Sequence, residues 1–295
     1  MKQISGIDTP VKGGMAVLKP FDIRAHSPDG YIFTRWLATL PLWTPLLILA
    51  VIGVYPSSVY AQSGFSIDDA FGALWRWMPF LLVSGFLFNV LISFWTLVIG
   101  TCAGTALGLG QISTFGPLRA FSWFITQLFR NSPWLVILFI VLLALPFEFT
   151  IFGQTIRVPD WMKGVFGLSL PVMANISEVV RGAVQSVPTA QWEAAESLAF
   201  SRRQILWQII LPQCFKRMLP PWMNWYAILT MATPLCSLLG IEEIITLSRQ
   251  AMEAEDNHPE LLVPFYGFAL LLFFLYCYPI AWLTMRLERK YAVKL

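Results

Sequence analysis

The chain has 295 residues, of which 57% are hydrophobic, 15% aromatic and only 13% charged, a balance that excludes a soluble globular domain and describes a polytopic membrane protein. The net charge of +3 is small and the basic residues are scattered among loops, so no nucleic-acid-binding face is indicated. Cys102, Cys214, Cys236 and Cys277 stand apart from one another, and His26 and His258 are far apart, so neither a disulfide framework nor a metal site is expected.

In chain order, residues 1–35 are polar and broken by Pro10, Gly13, Gly14, Pro20 and Pro28, which reads as a cytoplasmic tail. Residues 36–55 form the first apolar run long enough to span a bilayer. Val59, Tyr60 and Ala61 are similar to a signal-peptidase site, but the preceding segment is far longer than a signal peptide, so a retained helix is expected. Residues 56–78 read as an external connector, in which Ser66 and Asp69 cap a short helix and Trp75 and Trp77 suit the headgroup layer.

A core domain is expected over 79–285, with spans near 80–110, 120–146, 164–186, 221–239 and 263–285. The second span carries Gly100, Gly104 and Gly108 at four-residue intervals, a seam of small residues that lets another helix approach. The fold class is thus all-α, with about six transmembrane helices. Residues 286–295 form a second tail. Six spans place both termini on one side, which then holds 14 Lys and Arg against 4 on the other, with Arg130 and Arg181 inside spans. The positive-inside rule makes the richer side cytoplasmic.

Inside the fourth span, Glu178 is the one acidic residue, with Asn175 a turn before it and Arg181 three residues after. An ionisable group at that depth needs a partner or a watery cavity. Two readings follow: a Glu178–Arg181 pair at helical spacing that neutralises both, or a glutamate facing the path of a solute.

Residues 188–213, PTAQWEAAESLAFSRRQILWQIILPQ, form a polar island. Thr189 is placed to cap a first helix, with Glu193 one turn in. Ala194, Ala195, Leu198 and Ala199 give that helix a slim apolar side. Ser201 and Gln204 form a capping box for a second helix, which Pro212 limits. Arg202 and Arg203 stand exposed at the joint.

The pattern Glu193-Ala194-Ala195, a small residue at Ala199, and then Ile209-x-Leu211-Pro212 resembles the EAA loop of ABC importer permeases. The flanking RGAVQSVP and LPPWMNW resemble the polar amino-acid branch of that family, which includes histidine, glutamate, glutamine, arginine and opine permeases. The resemblance covers roughly residues 79 to 285. It implies the type I importer architecture, a second permease subunit of the same or a homologous kind, ABC ATPase subunits, and a periplasmic or extracellular substrate-binding protein, all in the bacterial cytoplasmic membrane and its lipid. ATP and magnesium would reside on the ATPase, since this chain has no Gly-x-x-x-x-Gly-Lys-Ser/Thr loop; the chain itself would hold no cofactor and perform no covalent chemistry. Glu193 to Ala199, with Arg202 and Arg203 at the exit, would be the ATPase-coupling helix, and Glu178 would meet the amino group of the solute.

Departures from the pattern carry their own expectations. Ala199 replaces a usual glycine, which costs on the order of 1 kcal/mol if that residue is left-handed. QLFRNSPWLV is similar to the family's LFRGTPLLV, with Asn131 for glycine. The fifth span has Met231-Ala232-Thr233-Pro234-Leu235 where relatives commonly carry an acid, so a cationic side chain would find no carboxylate there. Pro234 predicts a kink. Thr230, Thr233 and Ser237 offer hydroxyls to a solute or bond back to their own helix. Residues 241–262, rich in acids, read as a solvated amphipathic connector at the outer mouth, with Ile241, Ile244, Ile245 and Met252 on one side. Rival readings are the non-binding half of a heterodimeric permease, a passive channel, or an intramembrane enzyme; the last would need clustered His, Asp or Cys groups that the sequence does not show.

Overall fold

A computed structural model describes residues 65–151 and 154–291, so the expectations for 1–35, 36–55, 56–64 and 292–295 lie outside the described residues. Helix α1 (Ile67–Phe80) begins at the predicted capping box, where Asp69 N–H donates to Ser66 Oγ at 3.1 Å and Ser66 N–H donates to Asp69 Oδ2 at 3.0 Å. It runs through a π turn at Leu81–Phe86 into α2 (Leu87–Gln111), giving one continuous helix of 45 residues.

The predicted glycine seam is present as a close helix contact. Gly100, Gly104 and Gly108 of α2 lie against Val172, Met173, Ile176, Ser177 and Val180 of α5 (Asp160–Gln185). A Cβ at Gly104 would stand 2.6 Å from the Met173 carbonyl oxygen, and one at Gly100 would stand 2.6 Å from Val172 Cγ1. Only hydrogen fits at that distance, so the two backbones meet directly. Side-chain bonds flank the seam: Thr96 Oγ1 donates to Val165 O at 3.4 Å, and Gln111 Nε2 donates to Thr126 Oγ1 at 3.0 Å and to Ser177 Oγ at 3.2 Å.

The third predicted span is two helices, α3 (Gly116–Arg130) and α4 (Trp134–Ala144), whose axes turn by 105°. Pro133, which lacks an N–H and disfavours helix before it, sits at the break. Asn131 ends α3 at φ −99°, so no glycine is required there. An antiparallel hairpin follows, β1 (Glu148–Ile151) with β2 (Gln154–Arg157), in the register Glu148 to Arg157; no element was predicted between the spans. Lys163, one of the four basic residues on the poorer side together with Arg76, Arg157 and Arg249, is 1% exposed. Its ammonium lies 3.2 Å from the Phe147 ring centroid and 3.5 Å from Asp160 Oδ1, so a ring face and one carboxylate replace water.

After α5 come α6 (Thr189–Ser197), the short α7 (Arg202–Gln204) with a π turn at Ile205–Ile210, and α8 (Leu211–Ala232). Pro212 was expected to limit the second helix of the island. It does not: it takes an early position of α8 directly after the π turn, where the widened hydrogen-bond pattern tolerates a residue with no N–H. Pro234 does break the regular helix, which tightens into a 3₁₀ segment at Thr233–Leu239 and ends at left-handed Gly240. Helices α9 (Ile244–Ala254) and α10 (Leu262–Tyr291) complete the chain.

Of the six predicted spans, the first lies outside the described residues and the other five are helical. Among the described residues, the helices 67–111 and 259–291 are each long and apolar enough to cross a membrane, and the number is four if each of two bent pairs, 116–144 and 202–254, is one span. Helix α5 is more polar because α2, α3, α4 and α8 enclose it, so few of its side chains need to match lipid. Substituting Gly104 by Leu is expected to destabilise the folded protein by about 3 kcal/mol, since the obstructing atom is backbone and cannot swing aside; thermal unfolding in detergent checks it, and an unchanged midpoint would show that the helices can separate freely.

Candidate functional site

Two polar assemblies stand out against the apolar bundle. The first surrounds Glu178. Its Oε2 accepts from Arg181 Nη2 at 2.6 Å, its Oε1 from Arg181 Nε at 3.3 Å, and Arg130 Nη1 lies 3.3 Å from Oε2. The Glu178–Arg181 pair anticipated from helical spacing is therefore present, with a second arginine beside it. Arg130 arrives at the end of α3, which Thr126 and Ser122 hold against α2 and α5 through the Thr126–Ser177 bond of 2.9 Å and the close approach of Ser122 to Gly110. Two guanidiniums and one carboxylate leave the cluster with a net charge of +1.

The remaining residues predicted to face a solute use their donors locally. Asn175 Nδ2 donates to Pro171 O at 2.8 Å, Thr230 Oγ1 to Tyr226 O at 2.9 Å, Thr233 Oγ1 to Thr230 O at 2.8 Å, and Ser237 Oγ to Pro234 O at 2.7 Å. This is the back-bonding expected of hydroxyls in apolar helices. Thr233 also accepts from Asn89 Nδ2 at 2.9 Å. Asn89 in turn donates to Glu243 Oε2 at 2.9 Å and accepts from Ile244 N–H at 3.1 Å. Of the predicted path residues, Thr233 thus joins the Asn89 network, while Asn175 lies one turn before Glu178 on α5.

Glu243 corrects the expectation of a solvated acidic connector. It is fully buried, and its Oε1 caps α9 by accepting from the N–H groups of Ile245 and Thr246 at 2.9 and 3.0 Å. Glu260 is also buried, whereas Glu242 and Glu253 face out as expected. Of the predicted apolar side, Ile241, Ile244 and Met252 are buried. Glu255 closes the far end of α9, accepting from Arg76 Nη2 at 2.7 Å and Trp77 Nε1 at 2.9 Å, and these bonds hold its carboxyl below the usual range.

The second assembly is the 188–213 island. Helix α6 has Pro188, not Thr189, at its N-cap, and no side chain caps it: Thr189 is already helical, since the fixed φ of Pro188 sets the turn one residue earlier. Its expected apolar side divides. Ala195 is buried in a cluster with Val184, Val187, Ile205, Ile210 and Cys214, while Ala194 and Ala199 are exposed and Leu198 is 74% exposed. Glu193 is exposed as well.

Ala199 adopts φ 58°, the left-handed conformation that its glycine-like position demands. Phe200 N–H donates to Ala195 O at 3.2 Å and Ala199 N–H to Glu196 O at 2.9 Å, which together make a Schellman motif. The Ser201–Gln204 capping box forms as predicted, and Arg202 and Arg203 are exposed. A residue that sequence reasoning missed ties the island down: Arg217 Nη1 donates to Ser186 O at 2.7 Å and to Ser186 Oγ at 2.8 Å, bridging the base of α8 to the C-terminus of α5.

Several known proteins are similar to this chain in sequence or in fold. The chain is 30% identical over 190 residues to a probable amino-acid ABC transporter permease, y4tF of Sinorhizobium fredii, covering 63% of this chain and 80% of that one. It is 30% identical over 195 residues to the glutamate transport system permease GluD of Corynebacterium glutamicum, covering 62% and 69%, and 30% identical over 186 residues to the arginine transport system permease ArtQ of Bacillus subtilis, covering 63% and 82%. In fold it is similar to a crystal structure of an amino acid ABC transporter with histidines, with a TM-score of 0.63 at 22% identity over 75% of this chain and 98% of that one. It also resembles the methionine transporter MetNI in an inward-facing conformation, at TM-score 0.57 and 18% identity over 73% and 98%. Residues 97–293, more than half of the chain, match the family described as the binding-protein-dependent transport system inner membrane component, and to that family the chain belongs.

Proposed function

We propose that the chain is the permease subunit of an ATP-driven importer for polar amino acids or related compounds, in the bacterial cytoplasmic membrane with both termini and the 188–213 island cytoplasmic. One observation carries the reading: an exposed helix, α6, is rigidly ended by its Schellman motif, and the segment that carries it is clamped at its base, where Arg217 of α8 bonds Ser186 at the end of the helix that holds Glu178. A passive channel has no use for such a lever. The relatives above, by their names, move glutamate, arginine and other amino acids, which supports the substrate class.

In this reading Glu193, Ala194, Leu198, Ala199 and Arg203 meet a groove on an ABC ATPase subunit, with Ala195 anchoring the helix from behind. Arg202, exposed beside Arg203, belongs to the same contact. ATP and magnesium are bound by the ATPase. ATP-driven closure displaces α6, Arg217 makes α8 move with the end of α5, and the glycine seam carries α2 with it, because close-packed helices move as bodies. A second permease subunit of the same or a homologous kind lines the path, and a substrate-binding protein delivers solute to the outer face near α9. Glu178 meets the solute's amino group, while Arg130 and Arg181 give the cluster a surplus positive charge that also suits a carboxylate.

A second reading has its own support. Asn175, Thr230, Thr233 and Ser237 all spend their donors on their own helices, no acid neighbours Ala232 in the sequence, and Glu243, which Asn89 links to Thr233, is spent on capping α9. This chain would then be the half of a heterodimer that does not bind solute.

In the reconstituted transporter, Glu193→Lys is expected to abolish co-purification of the ATPase, and intact association would sink the docking assignment. Glu178→Gln is expected to keep the ATPase bound but to lower uptake about tenfold or more, a charge-assisted hydrogen bond being worth about 1.5–3 kcal/mol; normal uptake would favour the non-binding half. Arg217→Ala should leave ATPase association intact and reduce solute moved per ATP hydrolysed. Equal coupling in that variant would show that Arg217 transmits nothing.

A further inference from the structure

Helix α8, which leaves the 188–213 island, ends in a break. Pro234 has no N–H to give to Thr230 O, and that carbonyl accepts instead from the N–H of Thr233 and, at 2.8 Å, from its hydroxyl. The chain then tightens into the 3₁₀ segment, passes left-handed Gly240 and restarts as α9, so that the helical run 202–239 and α9 meet at 51°. Against this elbow lies another irregular stretch, the π turn Leu81–Phe86 between α1 and α2. A Cβ at Gly85 in that turn would stand 3.0 Å from Ile244 Cα, so α9 starts directly against it. Irregular hydrogen-bond ladders on both sides make this a place where helices can change direction.

One side chain grips both arms of the elbow. Asn89, in the first turn of α2, donates from its single amide nitrogen to Thr233 Oγ1 before the bend and to Glu243 Oε2 after it, each at 2.9 Å. Its oxygen accepts from Ile244 N–H at 3.1 Å, so both amide hydrogens and the carbonyl serve the two arms from a third helix. Asn89, Thr233 and Glu243 are all closed to solvent, and with the amide removed neither partner finds water in its place. The bond to Glu243 is additional to what α9 needs for its own start. Oε1 alone accepts from Ile245 and Thr246 N–H, which leaves Oε2 for Asn89.

We propose that Asn89 is a positioning residue of the transport cycle: by holding Thr233 and Glu243 on one amide it fixes the elbow, so that displacement of α8 at its coupling end is delivered to α9 at the outer face. From Arg202 through the π turn to Thr233 the chain is helical without interruption, so a push at the island reaches the elbow along one element. Without the amide, the 3₁₀ segment absorbs that push by bending and α9 stays where it is. The inference rests on the importer reading above, which supplies the force and the outer placement of α9.

The test uses the complete transporter in proteoliposomes, with its ATPase and binding protein, and reads solute uptake, ATP hydrolysis with and without loaded binding protein, and the thermal midpoint. Asn89→Leu and Asn89→Asp are each expected to keep the ATPase bound and unstimulated hydrolysis within about twofold of wild type, but to lose stimulation and uptake about tenfold. In Asn89→Asp the new carboxylate faces Glu243 with no hydrogen between them. Adding Glu243→Gln to that variant restores the bond in the reverse direction, since the glutamine nitrogen donates to the aspartate while its oxygen keeps the cap on α9. The double variant is expected to recover stimulation and uptake to within about threefold of wild type. Wild-type coupling in both single variants, or a double variant as uncoupled as Asn89→Asp, would overturn the proposal. So would a parallel fall of stimulated hydrolysis, unstimulated hydrolysis and thermal midpoint, which marks a bond needed only for folding. The docking assignment is decided on Glu193→Lys and the elbow on Asn89, so failure of either is read separately.

Discussion

The contact between α2 and α5 is the constraint on which the other placements depend. Gly100, Gly104 and Gly108 bring two backbones together so closely that a single methyl group at Gly104 would collide with the Met173 carbonyl. Within lipid there is little hydrophobic gain from joining helices, so dispersion at short range and buried hydrogen bonds must supply the association. The seam provides the first. Gln111, Thr126 and Ser177 provide the second at its end, and in doing so they draw α3 in and bring Arg130 to Glu178. The charged cluster is a consequence of the glycine seam beside it, where Gly108 meets Ser177 and Val180 on either side of Glu178.

Most polar groups in the bundle are matched inside the protein, although Gln111 Oε1 and Ser248 Oγ are buried without a hydrogen-bond partner among the described residues. Serine and threonine hydroxyls return to their own carbonyls three or four residues back. Asn89 uses both ends of its amide, donating to Thr233 and Glu243 and accepting from Ile244 N–H, so one side chain joins α2, the 3₁₀ segment after α8 and the start of α9. Glu243 is retained in a fully buried position because it replaces the missing backbone partners at that helix start.

The island differs in kind, since it is stiff and also exposed. Left-handed Ala199 carries roughly 1 kcal/mol of strain that glycine would relieve, yet the Schellman bonds hold it there. Arg217 meanwhile fastens the two stems of the island at Ser186. A segment that is free on one face and clamped at its base transmits displacement without dissipating it in internal motion, which suits a contact between a moving soluble partner and a rigid bundle.

Much of this was legible from residue order alone. Composition and long apolar runs determine an all-α membrane protein, because a bilayer admits helices whose backbone bonds are internal. The four-residue glycine spacing, the Ser66 and Ser201 capping boxes, the break at Pro234 and the Glu178–Arg181 pair are local relations, set by helical periodicity within a few residues. What the order of residues left open is what depends on distant partners. The 105° turn at Pro133 took two helices where one span was expected, the π turn let α8 run through Pro212, and Pro188 displaced Thr189 from the cap. Arg130 is 48 positions from Glu178, Asn89 is 154 from Glu243, and Arg217 is 31 from Ser186. No periodicity links such pairs; only packing of the helices decides which charges and amides meet, and the α2–α5 seam decides that packing.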